Sequence, residues 1–353
     1  MRPLVSLSIA VTLLLGTAML AKKKNKEEVT QVLELPPDPP SAVSAEVRRM
    51  VFHTSPISTH GLLSQQTKDA VRAILRESGG MQPVKLRAFV AGAGDLRRVP
   101  QIVSEEFSDH KHMQLPAISV VQAGGLPVEG AQVVIEAVSE AKREVNPNGL
   151  LFVSAQESSV NQPLQPLVPL AEKSLGELSA KIGGRGEALR VTCFATMLDD
   201  APRIQAAMSA RFPNAALDLV QTQRAPARSS VACEAVARAL SAPARNVAGV
   251  AEVNGGRIVL TGTQVAYGFA EDDARLAFRR LDRVLAPFGA SMRQAVRMDV
   301  YPLSASIARQ VERVSPEFLD AAHPPAKSVV QFEGLPGMDS SFAVELAAST
   351  PQP

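Results

Sequence analysis

The stretch that decides the fold is AKSVVQFEGLP, residues 326–336, because the chain carries the same pattern more than once. Residues 117–127 read AISVVQAGGLP, and residues 216–226, ALDLVQTQRAP, follow the pattern more loosely. The copies lie roughly one hundred residues apart, which is a typical domain size. A repeat with this period predicts that the chain contains three copies of one small domain.

The elements around each copy also recur in the same order. Each unit opens with a Glu-Val pair and a β-rich run, beginning at Glu46, Glu144 and Glu252. The pair Asn254-Gly255 predicts a tight hairpin in the third run, and Asn148-Gly149 plays a similar role in the second. A helix, a strand with an arginine near its start, a second helix and two closing strands follow. These arginines are Arg87, Arg190 and Arg297.

This order, β-β-α-β-α-β-β, predicts an α+β fold with mixed sheets. Helices cover one face of such a sheet, and its other apolar face needs a further cover. Three sheets facing one another would supply it, which predicts an intramolecular pseudo-trimer with helices outside. We expect the units to span 45–142, 143–242 and 243–349. The resulting protein would be a monomer, because the trimer lies within one chain.

The segment before the repeats predicts export. Arg2 is followed by an apolar run from Leu4 to Leu15, too short for a comfortable transmembrane helix, and then by small residues. Gly16 and Ala18 suit positions −3 and −1 of a cleavage site. We interpret 1–21 as a signal peptide and 22–44 as a polar, proline-rich linker, so no stable membrane insertion is expected after processing. An uncleaved anchor is the alternative.

Composition argues against some functions but does not decide whether the two cysteines form a disulfide. The net charge is +2, and the chain has no Trp and only two Tyr, so neither a basic patch nor base-stacking platforms are indicated, and we expect no nucleic-acid partner. Cys193 and Cys233 either pair or remain buried thiols. No residue pattern points to a metal or organic cofactor.

Each unit resembles the Rid family (RidA/YjgF), the reactive-intermediate deaminases with a chorismate-mutase-like fold. VLTGTQ (259–264) and VSAQ (153–156) are similar to the family's strand ending in Ser-Gly-Gln. PAKSVVQFEGLP (325–336) resembles its Pro-Ala-Arg-Ser strand and Leu-Pro turn, and VIEAVS (134–139) its closing strand. The resemblance implies a ligand pocket between neighbouring units. There an arginine would bind a substrate carboxylate, and a glutamate with backbone groups would position the water that hydrolyses an enamine or imine.

When the family's functional residues are placed on this sequence one by one, the resemblance implies a site that lacks most of them. The arginine position holds Ile118, Leu217 and Lys327 in the three units, and only the lysine keeps a positive charge. The glutamate position, two residues before Glu136, Glu234 and Glu345, holds Val134, Ala232 and Ala343. Loss of that carboxylate removes acid-base assistance worth roughly 10²–10⁴-fold.

The ligand-binding candidates are therefore few. They are Lys327, Thr261, Gly262 and Glu345, with Arg228 in APARSSV (225–231) as an alternative to the Leu217 position. We expect Arg228 instead in an exposed turn between the last two strands of the second unit. For Arg87, Arg190 and Arg297, and for Glu136, Glu234 and Glu345, we expect structural roles at sheet edges or between units.

Two functions follow from these residues. The first is an exported, RidA-like protein with largely degenerate sites that binds a small carboxylate metabolite or a partner between units. The alternative is an enamine or imine deaminase, of the 2-iminobutanoate/2-iminopropanoate type, with a single remaining site around Lys327.

Overall fold

The computed structural model describes residues 36–92, 94–110, 112–241 and 247–350. The predicted signal peptide, 1–21, and the first part of the linker lie outside these described residues. No helix among them is both long and apolar enough to cross a bilayer.

From the first helix of each unit onward, the described chain follows the predicted order α-β-α-β-β, but the second unit opens with one strand and the third with three instead of two. The helices are α1 (Leu63–Glu77), α2 (Arg98–Ser108), α3 (Val168–Ile182), α4 (Ala201–Arg211), α5 (Glu271–Leu285) and α6 (Ala305–Val314). The strands are β1 (Ala42–Glu46), β2 (Met50–Thr54), β3 (Gln82–Ala91), β4 (Ala117–Ala123), β5 (Val133–Glu140), β6 (Leu150–Val160), β7 (Gly186–Ala195), β8 (Ala216–Gln221), β9 (Ser229–Ala239), β10 (Val250–Val253), β11 (Arg257–Thr261), β12 (Gln264–Tyr267), β13 (Ala295–Pro302), β14 (Ala326–Val329) and β15 (Ser340–Ser349).

The strands form three mixed sheets. The first sheet has the order β2-β5-β3-β4, the second β10-β6-β9-β7-β8, and the third β1-β11-β15-β13-β14 with β12 paired to β15. In each sheet one pair is parallel, namely β3/β4, β7/β8 and β13/β14, and the repeated stretch supplies the second strand of that pair. Two helices from the same stretch of chain pack on each sheet, and the three helix-facing cores are separate clusters. The α+β fold predicted from the sequence is confirmed.

The opening strand of a unit pairs with another sheet, which corrects the predicted hairpins. β10 and β11, on either side of Asn254-Gly255, lie in different sheets: β10 pairs with β6 and β11 pairs with β1. The residues before Asn148-Gly149 form no strand, and Val145 donates its backbone N–H to the carbonyl of Arg48. Neither Asn-Gly pair therefore closes a hairpin: the segment before each turn makes its backbone contacts outside its own unit, β10 with β6 and Val145 with Arg48.

The second sheet is also cross-linked. Cys193 on β7 and Cys233 on β9 lie directly opposite each other, with their Cα atoms 4.1 Å apart, and their sulfur atoms form a disulfide. This settles the alternative left open by the sequence in favour of pairing.

Phe332, from the repeated stretch, closes one end of the core that the three sheets share. Its ring centroid lies 5.7 Å from those of Phe89 and Phe194 and 5.6 Å from that of Tyr301. Each sheet contributes one of these three neighbours. The residues equivalent to Phe332 in the other copies of the stretch are Ala123 and Thr222, since the space at the end of this core takes only one ring.

The glutamine of the repeated stretch has the same structural task in all three copies. It donates its side-chain amide to the carbonyl of the first residue beyond the neighbouring parallel strand. The pairs are Gln122 to Gly92, Gln221 to Thr196 and Gln331 to Leu303. The glutamine in the repeated stretch therefore marks the end of a strand and makes the side-chain hydrogen bond that holds this end against its parallel neighbour.

Below the aromatic layer, three buried glutamates each pair with a cation from another sheet. The pairs are Arg190 with Glu136 at 3.4 Å, Arg297 with Glu234 at 2.5 Å, and Lys85 with Glu345. The first sheet thus supplies a cation to the third, the second to the first, and the third to the second. We call this set of six residues the ion-pair ring. It confirms the expected structural role of the three glutamates.

Strand register corrects the sequence alignment of the arginines. Arg87 lies opposite Glu136, whereas Thr192 and Asp299 are the residues opposite Glu234 and Glu345. The true equivalent of Arg190 and Arg297 in the first sheet is Lys85, two residues before Arg87. The sequence aligns Arg87 with Arg190 and Arg297 because all three are arginines. Strand register instead places Lys85 at their position.

Arg87 occupies the centre of the ring. Its guanidinium contacts Glu136 at 2.6 Å, Glu234 at 2.7 Å and the ring of Phe89 at 5.1 Å. Burial alone would raise the pKa of Glu234, but Arg297, Arg87 and Arg190 lower it to about 2. Likewise Lys85 and Arg87 outweigh burial and lower the pKa of Glu345 to about 2. Glu234 and Glu345 are therefore ionised and held by their partners.

We expect Phe332→Ala to lower the free energy of unfolding by about 3–5 kcal/mol, because it opens a cavity among three aromatic rings. Chemical denaturation measures the change. Phe269→Ala is the control, since Phe269 is 76% exposed and its removal creates no cavity. Equal effects of the two substitutions would contradict the assigned role of Phe332.

We expect Arg87→Met to lower the free energy of unfolding by about 3–5 kcal/mol, because it leaves buried carboxylates without their central partner. Arg224→Met removes an arginine whose pair with Glu333 is exposed, and should cost less than about 1 kcal/mol. Denaturation curves of the two variants test the difference, and an Arg87→Met protein as stable as wild type would refute it.

Candidate functional site

Lys327 borders a cavity between the third and second sheets. The cavity has a volume of about 510 Å³, and its wall includes Ala155, Ala232 and Arg228 from the second sheet and Lys327 and Gln331 from the third. The backbone N–H of Lys327 donates to Ser154 Oγ at 2.9 Å, which fixes β14 against β6. The cavity thus lies where two sheets meet and is large enough for a small metabolite.

Strand register shows that the three residues compared in the sequence analysis occupy equivalent positions in the three sheets. Ile118, Leu217 and Lys327 lie opposite Leu86, Val191 and Met298 on their parallel neighbours. The three positions are therefore structurally equivalent, as the repeated stretch predicted, and only one of them carries a charge.

The ammonium of Lys327 is half-buried and has no close acidic neighbour. Burial lowers its pKa, and Glu312 acts in the opposite direction from beyond ion-pair distance. Among the described residues, no hydrogen bond or ion pair engages its Nζ atom. A half-buried cation without a partner on a cavity wall is suited to an anionic ligand, because a bound carboxylate would compensate the lost hydration.

Arg228 lies in the turn before β9, as expected, but it is not merely solvated. Its guanidinium pairs with Glu157 at 2.7 Å and donates to Ser159 Oγ at 3.3 Å. Both partners lie on β6, and Glu157 and Arg228 line the same cavity as Lys327. The alternative candidate therefore reaches the Lys327 cavity from the opposite sheet.

The other candidates lie at a different contact, between the first and third sheets. Thr261 is fully buried, and its carbonyl accepts a hydrogen bond from Lys85. A Cβ at Gly262 would stand 2.7 Å from the carbonyl oxygen of Ile118, so glycine is required for this close approach. Glu345 belongs to the ion-pair ring. Thr261, Gly262 and Glu345 thus come together with one another but not with Lys327.

Sequence reasoning missed Glu157. It lies directly opposite Ala232, the residue that the resemblance places at the position of the family's glutamate. No sequence motif marks Glu157, because its proximity to Ala232 depends only on how β6 pairs with β9. A search for acidic residues one strand away from the vacant position would have found it once that register was known.

Comparison with known proteins supports the resemblance stated from the repeats. Residues 237–350 match the family model described as Endoribonuclease L-PSP. No curated protein matches the chain.

Solved structures that resemble this chain each cover less than a third of it. A YjgF family protein from Neisseria meningitidis matches at 16% identity and TM-score 0.26, over 29% of this chain and 87% of its own. A member of the YjgF/YER057c/UK114 family from Mycobacterium tuberculosis matches at 23% identity and TM-score 0.25, over 26% and 79%. A putative endoribonuclease from Thermotoga maritima matches at 22% identity and TM-score 0.25, over 29% and 85%. The similarity to a family model is thus established for residues 237–350.

Proposed function

We propose that this protein binds a small carboxylate metabolite in the cavity between the third and second sheets. The observation that carries the proposal is Lys327, whose half-buried ammonium has no ion-pair partner among the described residues and faces a cavity of about 510 Å³. A carboxylate placed against it would form a charge-assisted hydrogen bond in a partly dry site. The equivalent positions, Ile118 and Leu217, offer no donor, so the other two contacts between sheets are degenerate.

The second candidate is a deaminase that hydrolyses enamines or imines at this single site. It is favoured by one observation: Lys327 and position 232, the two places of the family's functional side chains, border the same cavity. Ammonia release from 2-aminoacrylate or a related imine, compared between wild type and Lys327→Ala, separates this candidate from simple binding.

The chain that carries this site is, in our proposal, an internal pseudo-trimer of units 45–142, 143–242 and 243–349. Three sheets with a shared core and a cyclic set of ion pairs support this arrangement. We also propose that the protein is exported. The Cys193–Cys233 disulfide supports export, because disulfides persist in oxidising compartments.

We expect Lys327→Ala to weaken binding of 2-oxobutanoate by about 10- to 100-fold, the loss of one hydrogen bond to a charged group. Calorimetric titration measures the dissociation constant. Lys327→Arg should retain binding, since it keeps a positive donor. Lys142→Ala, at an exposed lysine, is the control. Unchanged binding in Lys327→Ala would refute the assigned site.

The native preparation should contain a processed, monomeric chain. Intact mass should show loss of the N-terminal segment, because a signal peptidase removes it on export. Light scattering should give the mass of one chain, because the contacts of a trimer are made within it. An unprocessed N-terminus would contradict export, and a hydrodynamic mass near three chains would contradict the internal trimer.

A further inference from the structure

Another cavity, of about 40 Å³, borders the ion-pair ring and shares no lining residue with the Lys327 cavity. Each sheet contributes one cation to its wall, from the equivalent positions Lys85, Arg190 and Arg297. Much of the remaining wall is apolar and includes the ring of Phe152. A single water needs roughly 10–15 Å³, so this cavity has room for a small ion or a few waters.

Two of these cations keep hydrogen-bond donors that no described residue accepts. Arg297 is 5% exposed, and its Nη2 pairs with Glu234 at 2.5 Å, but its Nη1 has no hydrogen-bond partner. Arg190 is 7% exposed and contacts Glu136 at 3.4 Å, yet it donates no hydrogen bond to a described residue. Buried guanidinium N–H groups without an acceptor are costly, so both arginines favour an acceptor inside the cavity that they line.

The carboxylates on the wall are already engaged. Both oxygens of Glu136 and both oxygens of Glu345 accept hydrogen bonds from buried side chains. Of the lining carboxylates, only Asp299 keeps an oxygen, Oδ1, without a partner among the described residues. A water molecule donates two hydrogen bonds, whereas an anion only accepts them. The surplus of donors on this wall therefore suits an anion better than water.

Electrostatics on the wall act in the same direction. Burial lowers the pKa of Arg190, and the charges of Arg87 and Arg297 lower it further, against the attraction of Glu136. Arginine stays protonated in proteins, so the charge of Arg190 is incompletely compensated. Burial also raises the pKa of Asp299, with Arg297 acting in the opposite direction, and this reduces the negative charge that repels an anion.

We propose that this cavity binds one small monovalent anion of the halide class, held by the guanidinium groups of Arg190 and Arg297. The volume sets its size, and the surplus of donors sets its charge. A divalent anion of this size loses far more hydration on entering a largely apolar cavity. The bound anion links the second sheet to the third through charge-assisted hydrogen bonds, so it is a structural ligand and not a substrate.

Bromide locates this site directly, because it substitutes for chloride and scatters X-rays anomalously. Crystals of the full-length protein soaked in sodium bromide should show an anomalous peak within hydrogen-bond distance of Arg190 and Arg297. Density in the cavity that refines as water, without an anomalous peak, overturns the proposal.

Chloride should also stabilise the fold, since it binds the native state. We expect the folding equilibrium constant from urea denaturation to rise about 100-fold when chloride reaches one hundred times its dissociation constant. Sodium gluconate at equal ionic strength is the control, because it screens charges equally but its anion is too large for the cavity. Equal stability in the two salts at every concentration overturns the proposal.

Arg190→Met should abolish the difference between the two salts. The variant keeps Glu136 paired with Arg87, so we expect it to fold. Arg190→Lys should restore part of the difference, because it keeps a positive donor. Arg203→Met is the matched control and should retain the full difference, since Arg203 is 72% exposed and pairs with Asp200 at the surface. A chloride effect that survives Arg190→Met contradicts the assigned site.

The chloride effect should persist in Lys327→Ala, because the two cavities share no residue. Loss of the effect in that variant places the anion at Lys327 and overturns the inference. If Arg190→Met does not fold, the bromide map and the comparison of salts on the wild-type protein still decide between an anion and water.

Discussion

The ion-pair ring is the constraint on which the rest of the fold depends. Four cations and four carboxylates meet at the centre: Lys85, Arg87, Arg190 and Arg297 with Glu136, Glu234, Glu345 and Asp299. A fifth acid, Asp218, has its pKa raised well above the usual range by burial and by Glu136, which favours its neutral form. Because buried charges are tolerated only when paired, the three sheets must meet in one register for the ion pairs between sheets to form.

A single chain allows the three sheets to differ where a homotrimer could not. Arg87, Thr192 and Asp299 occupy equivalent positions in the three sheets, each opposite a glutamate of the ion-pair ring. They are a cation, a neutral hydroxyl and an acid, respectively. Three identical arginines there would leave excess positive charge in a dry core. Phe332 illustrates the same freedom in steric terms, since its equivalents Ala123 and Thr222 leave room for one ring. Asymmetry at the centre thus combines charge balance with close packing.

The sequence predicted the parts of the structure that are encoded locally. The two helices of each unit, the mixed sheets and the equivalence of Ile118, Leu217 and Lys327 all follow from periodicity and repetition. The crossing of β10 to another sheet did not, because Asn254-Gly255 suits a hairpin and only tertiary pairing decides otherwise. Glu157 was missed for the same reason: its proximity to Ala232 depends on a register between strands about seventy residues apart.

The contacts between sheets also differ in how closely they pack outside the ion-pair ring. Where the first sheet meets the third, Gly262 packs against the backbone of Ile118, and an apolar side chain suits that closed contact. Where the third sheet meets the second, the cavity stays open, and Lys327, Arg228 and Glu157 remain on its wall. Charged side chains on a cavity wall must find either water or a ligand, whereas the closed contact gains stability from burial. The closed contact is therefore stabilised by burial, whereas the open one leaves charged side chains accessible to water or a ligand.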